Sequence, residues 1–334
     1  MHQFVRTLLP GVVLLLSAAS GPRLETRTPS AVLLVLSKAD KVLSIVDPST
    51  GTVLGQIPSG PDPHEVVASA DGKRAYISNY GSGAFNTITV VDLVGQKALA
   101  TIDLGALRGP HGIEFAAGKV WFTAEAADAI GSIDPSTNKV DWVLGTGQRR
   151  THMLAVSADA KRVLTTNVNS ATVSIIEEIT TQGRPDWNFT VVPVGAGAEG
   201  FDVTPDGKQA WIANATDGTI SVIDLTTKRV VQTLDADVKG ANRLKFTPDG
   251  ALAFVSSLRS PDVTVLRVSS RAVVKRIPVG RGAAGILIQP DGARAYIACT
   301  PDDKVVVVDV KSLSVVKTIV AGKQPDGLAW AMRP

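Results

Sequence analysis

Hydrophobic and polar positions alternate in short bursts along nearly the whole chain. No long stretch carries the three-to-four-residue apolar rhythm of an amphipathic helix. The bursts are strand-sized. TITVV from Thr87, TISVI from Thr219 and KVVVV from Lys304 are rich in Val, Ile and Thr, which suit a pleated, packed surface. Turn residues separate them. ADGKRAYISNYGSG from Ala70, PDGKQAWIANATDG from Pro205, PDGALAFVSSLRSP from Pro248 and PDGARAYIACTPDD from Pro290 each place an Asp-Gly turn before an alternating run with one aromatic residue. A second turn, a β-branched run ending in Asp, and a last apolar run ending in Gly (ALATIDLG, VVKRIPVG) complete the unit.

Each unit therefore holds four short strands, and the unit recurs. The residues just ahead of the first strand are His64, His111, His152, Glu199, Asn242, Ala284 and Asp326, spaced 41 to 47 residues apart. Four strands per period of about 40–45 residues is the spacing of propeller blades. Ala31 begins a set of three strands that lacks a first strand, whereas QPDGLAW at the C-terminus is a first strand alone. The pattern predicts an all-β, seven-bladed β-propeller of four-stranded blades over residues 31–334. The C-terminal strand is expected to complete the N-terminal blade, which leaves no blade edge unpaired.

YISN, WIAN and YIAC, each after Asp-Gly-x-x-Ala, resemble the tyrosine-valine-threonine-asparagine signature of the YVTN β-propeller repeats, as found in YncE-like and lactonase-like propellers. NTITVVD and GTISVID are similar to that family's third strand. The likeness covers the chain from residue 31. Two units depart from it: FAAGKVWFTAE lacks the Asp-Gly turn, and SADAKRVLTTN has Ala160 where glycine is usual. The resemblance implies the architecture. It leaves activity open, because the fold hosts lactonases, lyases, electron-transfer subunits and pure binding proteins.

Composition changes this picture little. Of 334 residues 44% are hydrophobic and 19% charged, ample for a large core, and the formal charge of +3 is scattered singly, so a nucleic-acid partner is not indicated. One cysteine, Cys299, excludes an internal disulfide. The first twenty residues read differently. Arg6, the apolar run LLPGVVLLL and the small residues SAAS form the pattern of a secretory signal peptide cleaved near Ala19 or Ser20, with a short linker at 21–30. The mature chain is then expected to be exported, to a bacterial periplasm or beyond, without a membrane anchor and as a monomer.

In a propeller the first strand of each blade lines the central channel. Residues before strand one and after strand two share one rim. The first set is His64, His111, His152, Glu199, Asn242 and Asp326; the second includes Asn79, Tyr80, Glu125, Asn167 and Asn214. All three histidines after the leader fall on the axial position, from adjacent blades, and Glu199 follows. His64, His111, His152 and Glu199 are the candidate metal set, suited to Zn²⁺, Cu²⁺, Fe²⁺ or Mn²⁺, with Mg²⁺ as a further candidate. His111, His152 and Glu199 are equally candidates to polarise a substrate, since a neutral imidazole can take or give a proton. A wet polar rim without metal is the third reading.

Around this set, Glu65 and Glu114 follow the first two histidines, with Glu114 expected deeper in the channel. Arg149, Arg150 and Arg243 flank the rim as anion binders or as ordinary surface charge. Asp47, Asp92, Asp134, Asp224 and Asp309 read as turn caps. Tyr76, Trp121, Trp211, Phe254 and Tyr296 read as packing between blades. Residues 177–190 form an insertion expected to cover part of one face. No catalytic triad order, phosphate loop or dinucleotide fingerprint is present. The expected function is an exported binding propeller whose His/Glu rim takes a small molecule, a metal ion or a protein partner. The alternative is a metal-assisted hydrolase or lyase of the lactonase or streptogramin-lyase kind, with a copper redox role the weakest of the three.

Overall fold

The β-branched runs are the most protected parts of the chain. In the strands Thr87–Asp92, Thr219–Asp224 and Lys304–Asp309 the four central residues are all buried. Burial of successive residues means that both faces of the strand are covered, which is what stacking of one sheet on the next achieves. The last strand of each unit, such as Arg229–Asp235 or Ala272–Pro278, is largely exposed and forms the outer edge.

The computed structural model describes residues 31–332, and the leader and linker readings of residues 1–30 lie outside the described residues. Within them the chain forms seven four-stranded antiparallel sheets. Numbered along the chain, blade 1 holds residues 31–58 and the C-terminal strand Pro325–Met332. Blades 2 to 7 span 63–103, 110–145, 151–193, 198–235, 241–278 and 283–319. Strand Ala31–Ser37 pairs antiparallel with Pro325–Met332, Leu33 opposite Trp330 and Val35 opposite Leu328. The inner strands touch one another in cyclic order, and the last, Pro325–Met332, touches both Ala283–Ile288 and Pro63–Ala68. The ring is therefore closed.

The recurring aromatics pack between blades. Tyr76 of blade 2 joins Val120 and Phe122 of blade 3, Trp211 of blade 5 joins Leu244 and Val255 of blade 6, and Tyr296 of blade 7 joins Leu33 and Val35 of blade 1. The recurring aspartates cap turns: Oδ1 of Asp92 accepts from the N–H groups of Val94 and Gly95, and Oδ1 of Asp224 from those of Thr226 and Thr227. The insertion in blade 4 is an extension of the two outer strands into a long hairpin, Thr172–Thr181 and Arg184–Pro193. Trp187 rests on Trp142 of blade 3 at 5.1 Å between ring centroids, so the hairpin leans on its neighbour.

Close approach of the inner strands sets the width of the channel. A Cβ on Gly112 would lie 2.9 Å from the carbonyl oxygen of His152, and one on Gly327 would lie 2.5 Å from that of His64. Both are shorter than real Cβ contacts, so glycine is what lets blades 3 and 4, and blades 1 and 2, draw together at the histidines.

Candidate functional site at the channel mouth

Each histidine sits in a β-bulge that the repeat builds several times. The register of inner and second strands shifts between Pro63 and Val66, between Pro110 and Ile113, and between Thr151 and Leu154. A bulge re-aims the side chain it carries. Here a buried hydroxyl of the second strand ties the bulge to the next blade. Ser78 Oγ accepts from the N–H of Glu65 and donates to the carbonyl of His111 at 2.9 Å. Thr123 Oγ1 accepts from Gly112 and donates to the carbonyl of His152 at 2.7 Å. Thr166 Oγ1 accepts from Met153 and donates to the carbonyl of Glu199 at 2.7 Å. The backbone of each mouth residue is thereby fixed to its neighbours.

The three imidazoles meet. Ring centroids lie 4.3 Å apart for His64 and His111 and 3.8 Å apart for His111 and His152. His111 and His152 are buried, and Nδ1 of His111 has no hydrogen-bond partner. His152 is held between two carboxylates. Its Nδ1 lies 2.9 Å from Oε2 of Glu125, and its Nε2 lies 3.0 Å from Oε1 of Glu199, off the line that a directed hydrogen bond needs. His64 Nδ1 lies 2.8 Å from Nζ of Lys38 and 3.2 Å from Oδ2 of Asp326. An ammonium can only donate, so Nδ1 of His64 accepts and the proton of the neutral ring sits on Nε2.

A second ring of side chains supports the first. Lys38, Tyr80 and Glu125 each directly follow the second strand of blades 1, 2 and 3. Tyr80 donates its hydroxyl to Oε1 of Glu125 at 2.8 Å, and Arg150 Nε donates to the same oxygen at 2.5 Å. Tyr80 also packs against His64 and His111 at 5.0 and 4.9 Å. Lys38 bridges Asp326 at 3.2 Å and Asp62 at 3.5 Å.

These contacts spread the proton affinities apart. Burial, reinforced by Lys38, holds His64 down to about 3, and burial with the neighbouring histidines holds His111 well below its usual range. Burial also opposes charge on His152, but Glu199 and Glu125 outweigh it and raise this imidazole. Glu125 is lowered to about 2: burial acts against ionisation, and the hydrogen bonds from His152 and Arg150 overcome it. Asp326 is raised by burial, with Lys38 and Arg243 pulling the other way. Two neutral imidazoles, His64 and His111, thus stand in a row beside one that holds a proton between two carboxylates, an arrangement fit to exchange a proton for a cation.

His111, Glu125 and His152 each offer one ligand atom, and those atoms lie within 4.8 Å of one another. Glu125 was expected at the rim rather than among the donors. Glu199 stands against the far nitrogen of His152, the place of a carboxylate that orients a metal-bound imidazole. Asn242 is buried and donates Nδ2 to the carbonyl of Ala284. Asn79 and Asn167 lie within the sheets instead of at the opening: their Nδ2 groups donate to Thr87 and Thr89, and to Thr172 and Ser174. Arg149 is exposed, and its backbone N–H donates to Ser170. Arg243 is buried, its guanidinium donating to Glu65. Cys299 is buried, and burial pushes its thiol up to about 11, away from nucleophilic use.

Lys38 carries no motif of its own and was missed by sequence reasoning. Its signal is positional, because it occupies the repeat site that holds Tyr80 and Glu125 in the next two blades.

Fold and site together define a seven-bladed β-propeller with a histidine–carboxylate cluster at one end of its channel. The chain belongs to the YNCE-like beta-propeller family, whose model matches residues 113–294. No curated protein matches the chain in sequence. Among solved structures, a candidate 6-phosphogluconolactonase from Bacteroides uniformis shares 17% identity over 91% of this chain and 100% of its own, with a TM-score of 0.76. Hydrazine synthase of Kuenenia stuttgartiensis shares 18% over 88% of this chain and 99% of its own, with a TM-score of 0.70. The dihydro-heme d1 dehydrogenase NirN, solved in complex with DHE, shares 17% over 93% of this chain and 77% of its own, with a TM-score of 0.67. At such identities the likeness is one of fold.

Proposed function

We propose that this chain is an exported YNCE-like propeller that binds one divalent transition metal at its channel mouth, through His111, His152 and Glu125, and holds a small ligand on that metal. The convergence of these donors within 4.8 Å, with Nδ1 of His111 buried and unpartnered, carries the reading. An unsatisfied buried polar atom costs roughly 1–3 kcal/mol, which a metal bond offsets. Charge supports it too. Among the described residues around the mouth, Asp62, Glu65, Glu125, Glu199 and Asp326 stand against Lys38, Arg150 and Arg243, an excess of two negative charges when the imidazoles are neutral. Mixed imidazole and carboxylate donors favour Zn²⁺, Cu²⁺, Fe²⁺ or Mn²⁺ over Mg²⁺, which prefers oxygen and water. Export rests on the pattern of the first twenty residues.

Three protein donors leave coordination positions free. A ligand there lies beside His64, whose ring proton is directed to Nε2 by Lys38. That free position also favours a second reading, metal-assisted hydrolysis or elimination. Activity against lactones and esters that disappears with chelator and returns with metal would single it out.

Calorimetric titration of metal-stripped full chain with Zn²⁺ and with Cu²⁺ tests the proposal. One equivalent should bind to the wild type, and none tightly to the His111→Ala/His152→Ala variant. Equal binding by both proteins, or none by either, overturns it.

A further inference from the structure

Next to the histidines along the inner strands, an ion pair crosses the channel. Arg243 of blade 6 donates to Glu65 of blade 2 and, through Nη1, to the carbonyl of Asn242 at 3.0 Å. Blades 2 and 6 stand three apart by the shorter way round, the greatest separation that a ring of seven allows. Direct contact between them spans the channel at that level.

Below the bar, inner strands of six blades enclose a cavity of about 380 Å³. Glu65 and Arg243 line it from the side of the mouth. Leu287, Leu328 and Trp330 of blades 7 and 1 form an apolar wall, and Ile113 and Met153 extend it. Glu114 and Lys245 face them. The charges do not balance. Arg243 is paired with Glu65, and Lys245 lies 3.7 Å from Oδ1 of Asp202, whose Oδ2 accepts from the N–H of Phe246. Glu114 Oε2 accepts from the N–H of Val156 at 3.0 Å, but among the described residues this carboxyl has no cationic partner in ion-pair range. Burial holds it up to about 7, with the Val156 hydrogen bond and Lys245 acting in the opposite direction.

We propose that this lower cavity is a binding site separate from the mouth, which takes a small apolar amine: the ammonium pairs with Glu114 and the apolar body lies against Leu287, Leu328 and Trp330. A part-buried carboxylate without an ion-pair partner discriminates by charge, since an added cation offsets what burial costs it and an anion worsens it. The volume lies at the small end of the range for ligand pockets and suits a molecule of about ten non-hydrogen atoms. Nothing in this proposal depends on the metal.

Benzylamine and its neutral isostere benzyl alcohol provide the test, titrated calorimetrically into the full chain. Benzylamine should bind saturably, about tenfold more tightly than benzyl alcohol, the advantage expected of one charge-assisted hydrogen bond. Glu114→Gln, which can still accept from Val156, should remove that advantage. The His111→Ala/His152→Ala variant should bind benzylamine as the wild type does. Absence of saturable binding, equal affinity for the two probes, an unaltered preference in Glu114→Gln, or loss of binding in the histidine variant would each overturn the assignment.

Discussion

His111 and His152 lie on inner strands of adjacent blades with ring centroids 3.8 Å apart, and neither ring is open to bulk solvent. Two buried imidazoles at that distance repel each other once both are protonated. The cluster therefore settles with His111 neutral and His152 charged between Glu125 and Glu199.

Glu199 is expected to act on the metal through His152. Glu199→Gln keeps the size of the side chain and removes its charge. Zinc affinity should fall by roughly tenfold to a hundredfold, the usual consequence of losing a supporting carboxylate. Competition with a chromogenic chelator reads this out. A loss as complete as that of His152→Ala would make Glu199 a ligand.

Gly112 permits the approach of the two histidines. Gly112→Ala places a Cβ against the carbonyl of His152 and Cα of Met153. The variant should fold, lose about 1–3 kcal/mol in denaturant titration, and bind zinc more weakly because His111 and His152 are pushed apart. Gly145, whose Cβ would meet nothing within 4 Å, is the control, and Gly145→Ala should leave zinc binding unchanged.

The Glu65–Arg243 bar pairs a half-buried carboxylate with a buried guanidinium. Glu65→Leu strands the guanidinium of Arg243, and a loss of about 3–5 kcal/mol is expected in chemical denaturation. Glu65→Leu/Arg243→Met, which removes both charges, should recover most of that loss. A double variant as unstable as the single one would show that packing rather than charge holds the bar.

Much of this account was legible in the sequence. The spacing of the residues ahead of each first strand gave seven blades, and the solitary QPDGLAW matched a blade that lacked its inner strand. That the three histidines come together follows from their common place in the repeat. What was not legible depends on side-chain reach. Lys38 sits in an ordinary turn sequence, yet its long stem brings the ammonium to His64 and Asp326. Glu65 and Arg243 each stand one place past the mouth residue of their unit, but they are 178 residues apart in blades across the ring, and only the diameter of the channel explains their meeting. Asn79 and Asn167 follow the repeat, but their amides turn back to hydroxyls of the neighbouring strand, a choice that periodicity does not reveal.

Glu114 predicts a dependence of stability on pH. Its carboxyl is raised to about 7 in the folded chain against 4.5 for a free glutamate side chain. Above 4.5 the unfolded chain releases this proton while the folded chain keeps it. Stability is therefore full below about 4.5 and falls as pH rises through 7. Because the side chain is partly exposed, a loss of no more than about 2 kcal/mol is expected between pH 5 and 8. Denaturant titrations across that range should show it, and Glu114→Gln should flatten the slope. An equal slope in the variant would assign the effect elsewhere.

The central claim is that His111 and His152 bind one metal together. X-ray absorption at the zinc edge of the zinc-loaded full chain tests it most directly. Two imidazole groups should scatter at about 2.0–2.1 Å, with oxygen donors filling the remaining shell, and imidazole scattering should disappear in the His111→Ala/His152→Ala variant. A spectrum of oxygen donors alone, or one that is the same in wild type and variant, would contradict the account.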